Sequence, residues 1–306
     1  MKFDIIINQV IVLFIIMLAG VAAGKGGIIT DGAAKKLSEL LLYVTSPMMI
    51  LGSFFFEYSR EKLLDALLVF VLGSLFFILT IIISKFLFNR YDEKKKPILR
   101  FAVVFSNCGF VGLPMMKALF GNDGVFYGSF YVIAFYIFTW TFGITMFCGR
   151  REEKRTVETL KRVLLNPAII AVYVGIVIFL LRIPVPYAVK EAVNHIGNMT
   201  LPLSMLIIGS LISTAKFKTL FNDFKVYYIS FIRLIAVPLL AYFLLSFTGL
   251  PEMPVSIVVT ALAMPVAANM TIFSSLFDRD AVFASKAVTF STMLSIITVP
   301  LIVSLL

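Results

Sequence analysis

Histidine and tryptophan occur once each in the 306 residues, as His195 and Trp140, and cysteine occurs twice, as Cys108 and Cys148. The two cysteines have neither a CxxC nor a metal-ligand spacing, so neither a disulfide framework nor a zinc site is expected. No HExxH, no Ser-His-Asp set and no glycine-rich nucleotide loop is present, which argues against an enzyme and against any bound cofactor or metal. Charge is scarce as well, at 14% of residues. None of the 17 Asp and Glu residues falls at the middle of an apolar run, so coupling through a buried carboxylate is not expected.

Apolar residues dominate instead, at 60% of the chain with a mean hydropathy of +1.00, far above the soluble globular range. The composition predicts an all-α polytopic membrane protein. Its net charge of +10 sits in short Lys/Arg clusters between apolar runs, where lipid headgroups and topology signals explain it better than nucleic acid does. Lys2 precedes an apolar run of about 20 residues, longer than the about 7–15 of a signal-peptide core, so this run is read as a retained span.

Spans of roughly 20 residues divide the chain into ten: 5–24, 36–55, 63–88, 99–120, 124–148, 167–183, 190–213, 226–247, 254–277 and 283–305. Most of the 27 Lys and Arg residues lie in the connections after spans 1, 3, 5, 7 and 9. That bias puts both termini outside a cell membrane and the 149–166 connector in the cytoplasm, where its mixed charge predicts an amphipathic surface helix. The connector separates two five-span halves, 1–148 and 167–306. Five is odd, so the second half enters the bilayer inverted. Matched irregularities support a repeat: Pro47 and Pro202 each precede a Gly-Ser pair, and Ser106-Asn107-Cys108 corresponds to Ala263-Met264-Pro265.

Arg100 to Gly121 is long enough to span, yet its middle holds Ser106, Asn107, Gly109, Gly112 and Pro114, which loosen a helix where lipid cannot satisfy the backbone. Ser256 to Phe277 is its counterpart, with Pro265 freeing a carbonyl and Asn269 one turn on. Two broken, crossing spans would aim half-helix N-termini inward and favour an anion, with Asn107 and Asn269 as uncharged amide donors approaching each other at mid-membrane. Candidate binding residues are therefore Asn107, Cys108, Gly109, Gly112, Pro114, Pro265 and Asn269, joined by Thr45 and Ser46 beside Pro47 and by Tyr136 on span 5. Thr45 and Ser46 equally suit back-bonding within their helix, and Trp140 suits packing.

Arg233, deep in span 8, suits either snorkelling to the headgroups or a substrate counter-ion. His195, with Asn194 and Asn198 in span 7, suits interhelical hydrogen bonding better than a proton relay. Glu39 is spaced to pair with Lys35 and Lys36.

These motifs, Asn107-Cys108-Gly109-Phe110-Val111-Gly112-Leu113-Pro114, Ala263-Met264-Pro265-Val266-Ala267-Ala268-Asn269 and Ser46-Pro47, resemble the auxin efflux carrier family in its short bacterial form. The resemblance covers essentially the whole chain. It implies a ten-helix inverted-repeat transporter, similar in fold to bile-acid:sodium symporters. Spans 1, 2, 6 and 7 would form a scaffold, often dimeric, and spans 3–5 and 8–10 a moving domain. Plant members export auxin, and bacterial members are linked to malate and malonate. The plant Pro-Asn-Thr triplet is Ser106-Asn107-Cys108 here, and the plant serine after the span 2 proline is Ile50, so of the triplet only the asparagine carries over. The expected function is secondary transport of a small organic anion, a mono- or dicarboxylate, with H⁺ or Na⁺ as candidate coupling ion, the lipid bilayer as environment and a homodimer as assembly. A sodium-coupled organic-anion symporter and a non-transporting anion receptor are the alternatives.

Overall fold

The computed structural model describes residues 3–89, 91–148, 165–213 and 223–306, and among these residues it is helical throughout, apart from turns, short breaks and one isolated bridge between two extended segments. The chain begins with α1 (Phe3–Lys25) and α2 (Asp31–Leu40), which passes through a wide π turn at Leu41–Thr45 into α3 (Ser46–Gly52). Next come α4 (Arg60–Leu87) and α5 (Lys96–Val104), then a π turn at Cys108–Gly112 that opens α6 (Leu113–Phe138), and α7 (Ile144–Cys148). The second half holds α8 (Pro167–Leu181), α9 (Tyr187–Asn198), α10 (Thr200–Ser213), α11 (Phe224–Phe231), α12 (Val237–Ser246), α13 (Glu252–Ala263), α14 (Asn269–Leu276) and α15 (Ala281–Val303).

Among the described residues, five stretches are long and apolar enough to cross a bilayer: Arg60–Leu87, Cys108–Phe147, Tyr187–Ser213, Phe224–Ser246 and Ala281–Val303. The boundaries depart from expectation where a kink replaces a loop. Expected spans 4 and 5 share α6, which bends at Gly121, where φ is +65° and a residue without Cβ is favoured. Span 9 is divided between α13 and α14. The amphipathic helix expected in the 149–166 connector lies outside the described residues up to 164; beyond them Asn166 caps α8 through its side chain, accepting from the Ala168 N–H at 3.0 Å.

Proline explains most of the local irregularity. The π turns at Leu41–Thr45, Cys108–Gly112 and Ile232–Ala236 each end two residues before a proline: Pro47, Pro114 and Pro238. A proline has no N–H to return to the preceding turn, and the backbone widens there instead of bonding regularly. The expected ion pair forms at the end of α2, with Lys36 Nζ 2.8 Å from Glu39 Oε2.

Packing relies on small residues and aromatic rings. Helix α1 lies along α10, where a Cβ on Gly209 would sit 2.9 Å from Gly20 Cα, so only paired glycines permit this approach. In the other half, Phe101, Phe105, Phe147 and Phe273 interlock with ring centroids 4.5–5.9 Å apart. Each such pair contributes about 0.5–1.5 kcal/mol beyond buried area. This cluster surrounds the ends of α5 and α14, and so fixes the parts of the chain that approach the site.

Candidate functional site

Two helices stop inside the protein and their ends meet. Helix α5 ends at Val104 and the chain becomes extended at Phe105 (φ −106°, ψ 113°); α13 ends at Ala263 and Met264 is extended (φ −66°, ψ 150°). The two extended pieces pair antiparallel, Ser106 opposite Val266. The Asn107 N–H donates to the Pro265 carbonyl at 2.7 Å, and the Ala267 N–H donates to the Phe105 carbonyl at 3.0 Å. The Val266 N–H donates to Ser291 Oγ on α15 at 3.2 Å. Lipid offers no partner for broken backbone, so each break satisfies the other. Pro265 fits because this register asks it only for a carbonyl.

The pairing sorts the backbone by polarity. Two helix C-termini, those of α5 and α13, end on one side of the paired segments. Two N-termini, those of the Cys108 turn and α14, begin on the other.

Arg233 occupies the C-terminal side. It lies in the π turn between α11 and α12, is fully buried, and donates only to main-chain carbonyls. Its Nη1 reaches Val103 at 2.9 Å and Val104 at 3.3 Å, its Nη2 reaches Leu262 at 2.7 Å, and its Nε reaches Met264 at 3.2 Å. A helix C-terminus carries roughly half a negative charge, so two of them offset about one positive charge. Arg233 is fully buried with its guanidinium on these carbonyls, and it is not among the described residues that line the adjacent cavity. A lone mid-span arginine without a carboxylate must find carbonyls, and carbonyls free of helical bonds exist only at the breaks.

The N-terminal side opens into a cavity of about 740 Å³. Asn107, Gly109 and Phe110 line it from one break, and Ala267, Ala268 and Asn269 from the other. Among the described residues, neither asparagine carboxamide makes a hydrogen bond within the protein, and no Asp, Glu, Lys, Arg or His lines the cavity. The remaining wall is mostly aliphatic and aromatic, with polar points that include Ser38, Tyr43, Ser46, Tyr136, Asn166 and Thr292.

Over residues 5–303 the sequence matches the family described as membrane transport protein. The chain belongs to that family. Auxin efflux carrier-like proteins make up this family, so the resemblance read from the Asn107 and Asn269 motifs is shown. Similar chains include an uncharacterized transporter of Methanocaldococcus jannaschii, 24% identical over 302 residues, and one of Methanothermobacter thermautotrophicus, 23% identical over 299 residues. In both comparisons the match covers 96% of each chain. The chain is thus a multi-pass membrane protein of a transporter family, not one of an enzyme family.

Within this transporter-family chain the expected site residues divide. Asn107, Gly109, Asn269, Ser46 and Tyr136 come together around the cavity. Thr45, Cys108, Gly112, Pro114 and Pro265 do not line it. Thr45 back-bonds to the Leu41 carbonyl at 3.4 Å, one of the two roles open to it. Cys108 and Pro114 are buried, and Pro265 supports the paired segments. Gly112 faces Met264, and a Cβ there would stand 3.1 Å from Met264 Cγ, so this glycine sets the spacing between the two breaks.

Trp140 combines packing with lining: it meets Phe273 edge-on at 5.6 Å and also borders the cavity. His195 is exposed on α9 and bonds to nothing among the described residues, so the expected interhelical hydrogen bond is absent there. Sequence reasoning missed Ser38, Tyr43, Asn166, Thr289 and Thr292. The threonines sit on α15 without a break or proline to mark them. Asn166 is marked only as a helix cap.

Proposed function

We propose that this protein is a secondary transporter that carries a small organic anion by alternating access. One observation carries the reading: two half-helix N-termini and two unengaged asparagine amides face a cavity with no charged side chain among its described lining residues, while the opposite helix ends are neutralised by Arg233. Such a site favours a carboxylate, since helix N-termini attract anions and the amides donate without a charge to desolvate. The largely apolar wall suits an acid with an apolar body more than a compact dicarboxylate.

The architecture we infer is ten spans in two inverted five-span repeats, with both termini outside and the connector in the cytoplasm. Packing supports a division into two bodies: α1 along α10 and α3 against α8 and α9 on one side, α13 against α4, α6, α12 and α15 on the other. The second body contains both breaks and would move against the first within a dimer, exposing the anion to each face in turn.

Flux of labelled malate, malonate and an arylacetic acid into proteoliposomes tests the reading. Asn107→Ala and Asn269→Ala should each lower flux about tenfold or more, since a hydrogen bond to a charged group contributes about 1.5–3 kcal/mol. Unlabelled acid inside should accelerate entry of label. Unimpaired flux in both variants contradicts the site, and binding without such counterflow contradicts transport.

A further inference from the structure

Among the described residues a second cavity, of about 560 Å³, lies between the segment after α3 and the turn from α8 to α9, both on the side inferred to be outside. Phe54, Glu57 and Tyr58 line one wall, and Arg182 and Lys190 the other. We propose that this pocket is an outer binding site for organic anions, in line with the central cavity and closed off from it by a plug of phenylalanine rings. The class of ligand, a carboxylic acid, rests on the transport reading.

Charge and shape support the assignment. Arg182 and Lys190 are exposed, and neither forms an ion pair among the described residues, so their donors are open to a ligand. Glu57 is the one carboxylate on the described walls, which leaves the pocket a net positive charge. The Arg182 guanidinium stands 4.9 Å from the centroid of the Tyr58 ring, a contact that restrains it and consumes none of its hydrogen-bond donors. Its backbone is unusual as well. Arg182 ends α8 in the left-handed conformation, at φ +53° and ψ +41°, where glycine is the ordinary residue. An arginine there is strained, and strain of this kind collects at ligand sites.

The relation to the central cavity follows from α3 and α6. Ser38, Leu42, Ser46 and Ile50 recur every four residues along the central cavity, and Phe54, four residues further, lines the outer pocket. Phe54 is fully buried, with its ring centroid 4.9 Å from that of Phe126 and 6.3 Å from that of Phe130, both on α6. Val132, Phe135 and Tyr136, further along α6, line the central cavity. The rings therefore stand between the two spaces, and they come from both of the bodies inferred to move.

Trp140 is the sole tryptophan and borders the central cavity, so its fluorescence senses that cavity and not the outer pocket. Binding of labelled phenylacetate and malonate to purified protein, in an uncharged detergent at low ionic strength, is measured beside the Trp140 signal. Wild type should bind at least one of the acids at a saturable site that Trp140 does not sense, in addition to the site it does sense. Arg182→Gly combined with Lys190→Gln should weaken the unsensed binding about tenfold or more and leave the Trp140 response within about twofold of wild type. Glycine suits the left-handed backbone, so Tm should stay within about 3 °C. Glu57→Gln should tighten the unsensed binding about threefold. Absence of saturable binding beyond what Trp140 senses, or outer binding undiminished in the double variant, overturns the inference. So does displacement of both acids by short-chain phosphatidylglycerol at concentrations below those the acids need, which makes the pocket a lipid site. Outer binding lost in the double variant, with no Trp140 response to either acid, counts against the transport reading of the central cavity and leaves the outer site supported.

Discussion

Arg233→Met is expected to lower Tm by at least about 5 °C and to reduce the yield of folded protein. Methionine fills a similar volume, so the loss cannot be assigned to a simple void. What disappears is the donor set for four carbonyls at the ends of α5 and α13. Each buried acceptor left without a partner costs about 1–3 kcal/mol, and four together approach the about 5–15 kcal/mol by which a protein is stable at all. Buried ion pairs can often be exchanged for hydrophobic residues without loss, but only when both partners are exchanged. Here the partners are main-chain oxygens, which no substitution removes. The fraction of monodisperse protein on size-exclusion chromatography and the Tm in detergent measure the effect. A methionine variant with wild-type yield and Tm contradicts the role assigned to this residue.

Gly109→Leu is expected to abolish flux and leave the fold intact. Gly109 sits in the turn that opens the second half of the broken span, and its φ is not in the left-handed region, so a side chain is sterically allowed. A Cβ there would meet only Tyr136 Oη, 3.9 Å away, before entering the cavity. Leucine would then occupy the space between Asn107 and Tyr136 that an anion needs. The expected outcome is a fall in flux of about 100-fold or more, with Tm within about 3 °C of wild type. If Gly109→Leu transports as wild type does, the cavity is not on the substrate path. If it transports poorly and also loses stability, the turn is structural and the site assignment is weakened.

The two irregular stretches were legible in the sequence because lipid makes every backbone break costly. Ser106 to Pro114 and Ala263 to Asn269 therefore stood out without any structure, and Asn107 and Asn269 do border one cavity. Residues whose importance depends on a partner far away in the chain were less visible. Arg233 was conspicuous as a buried charge, but its acceptors lie about 30 and about 130 residues distant, and only the pairing of the breaks brings them together. Cys108 and Pro114 show the opposite limit. A residue inside a motif turns toward the cavity or away from it according to the phase of a π turn, which sequence spacing does not fix. Thr289 and Thr292 carry no local signal at all, since threonine inside an apolar helix commonly bonds its own backbone, as Thr292 does to Val288 at 2.8 Å.

The proposed site depends on polarity: helix N-termini and amides on the cavity side of the breaks, helix C-termini and Arg233 on the other. The measurement that addresses it most directly is binding of carboxylic acids and their primary amides, matched in shape, to purified wild-type and Asn269→Asp protein, read as ligand-induced shifts in Tm. A helix N-terminus contributes about 0.3–1 kcal/mol and up to about 2 kcal/mol where partly buried, so with two of them an acid should bind about tenfold more tightly than its amide. Asn269→Asp, which puts a negative charge where the anion is expected, should remove that preference while leaving the protein folded. Equal affinity for acid and amide in wild type, or an undiminished preference for the acid in Asn269→Asp, would contradict the account.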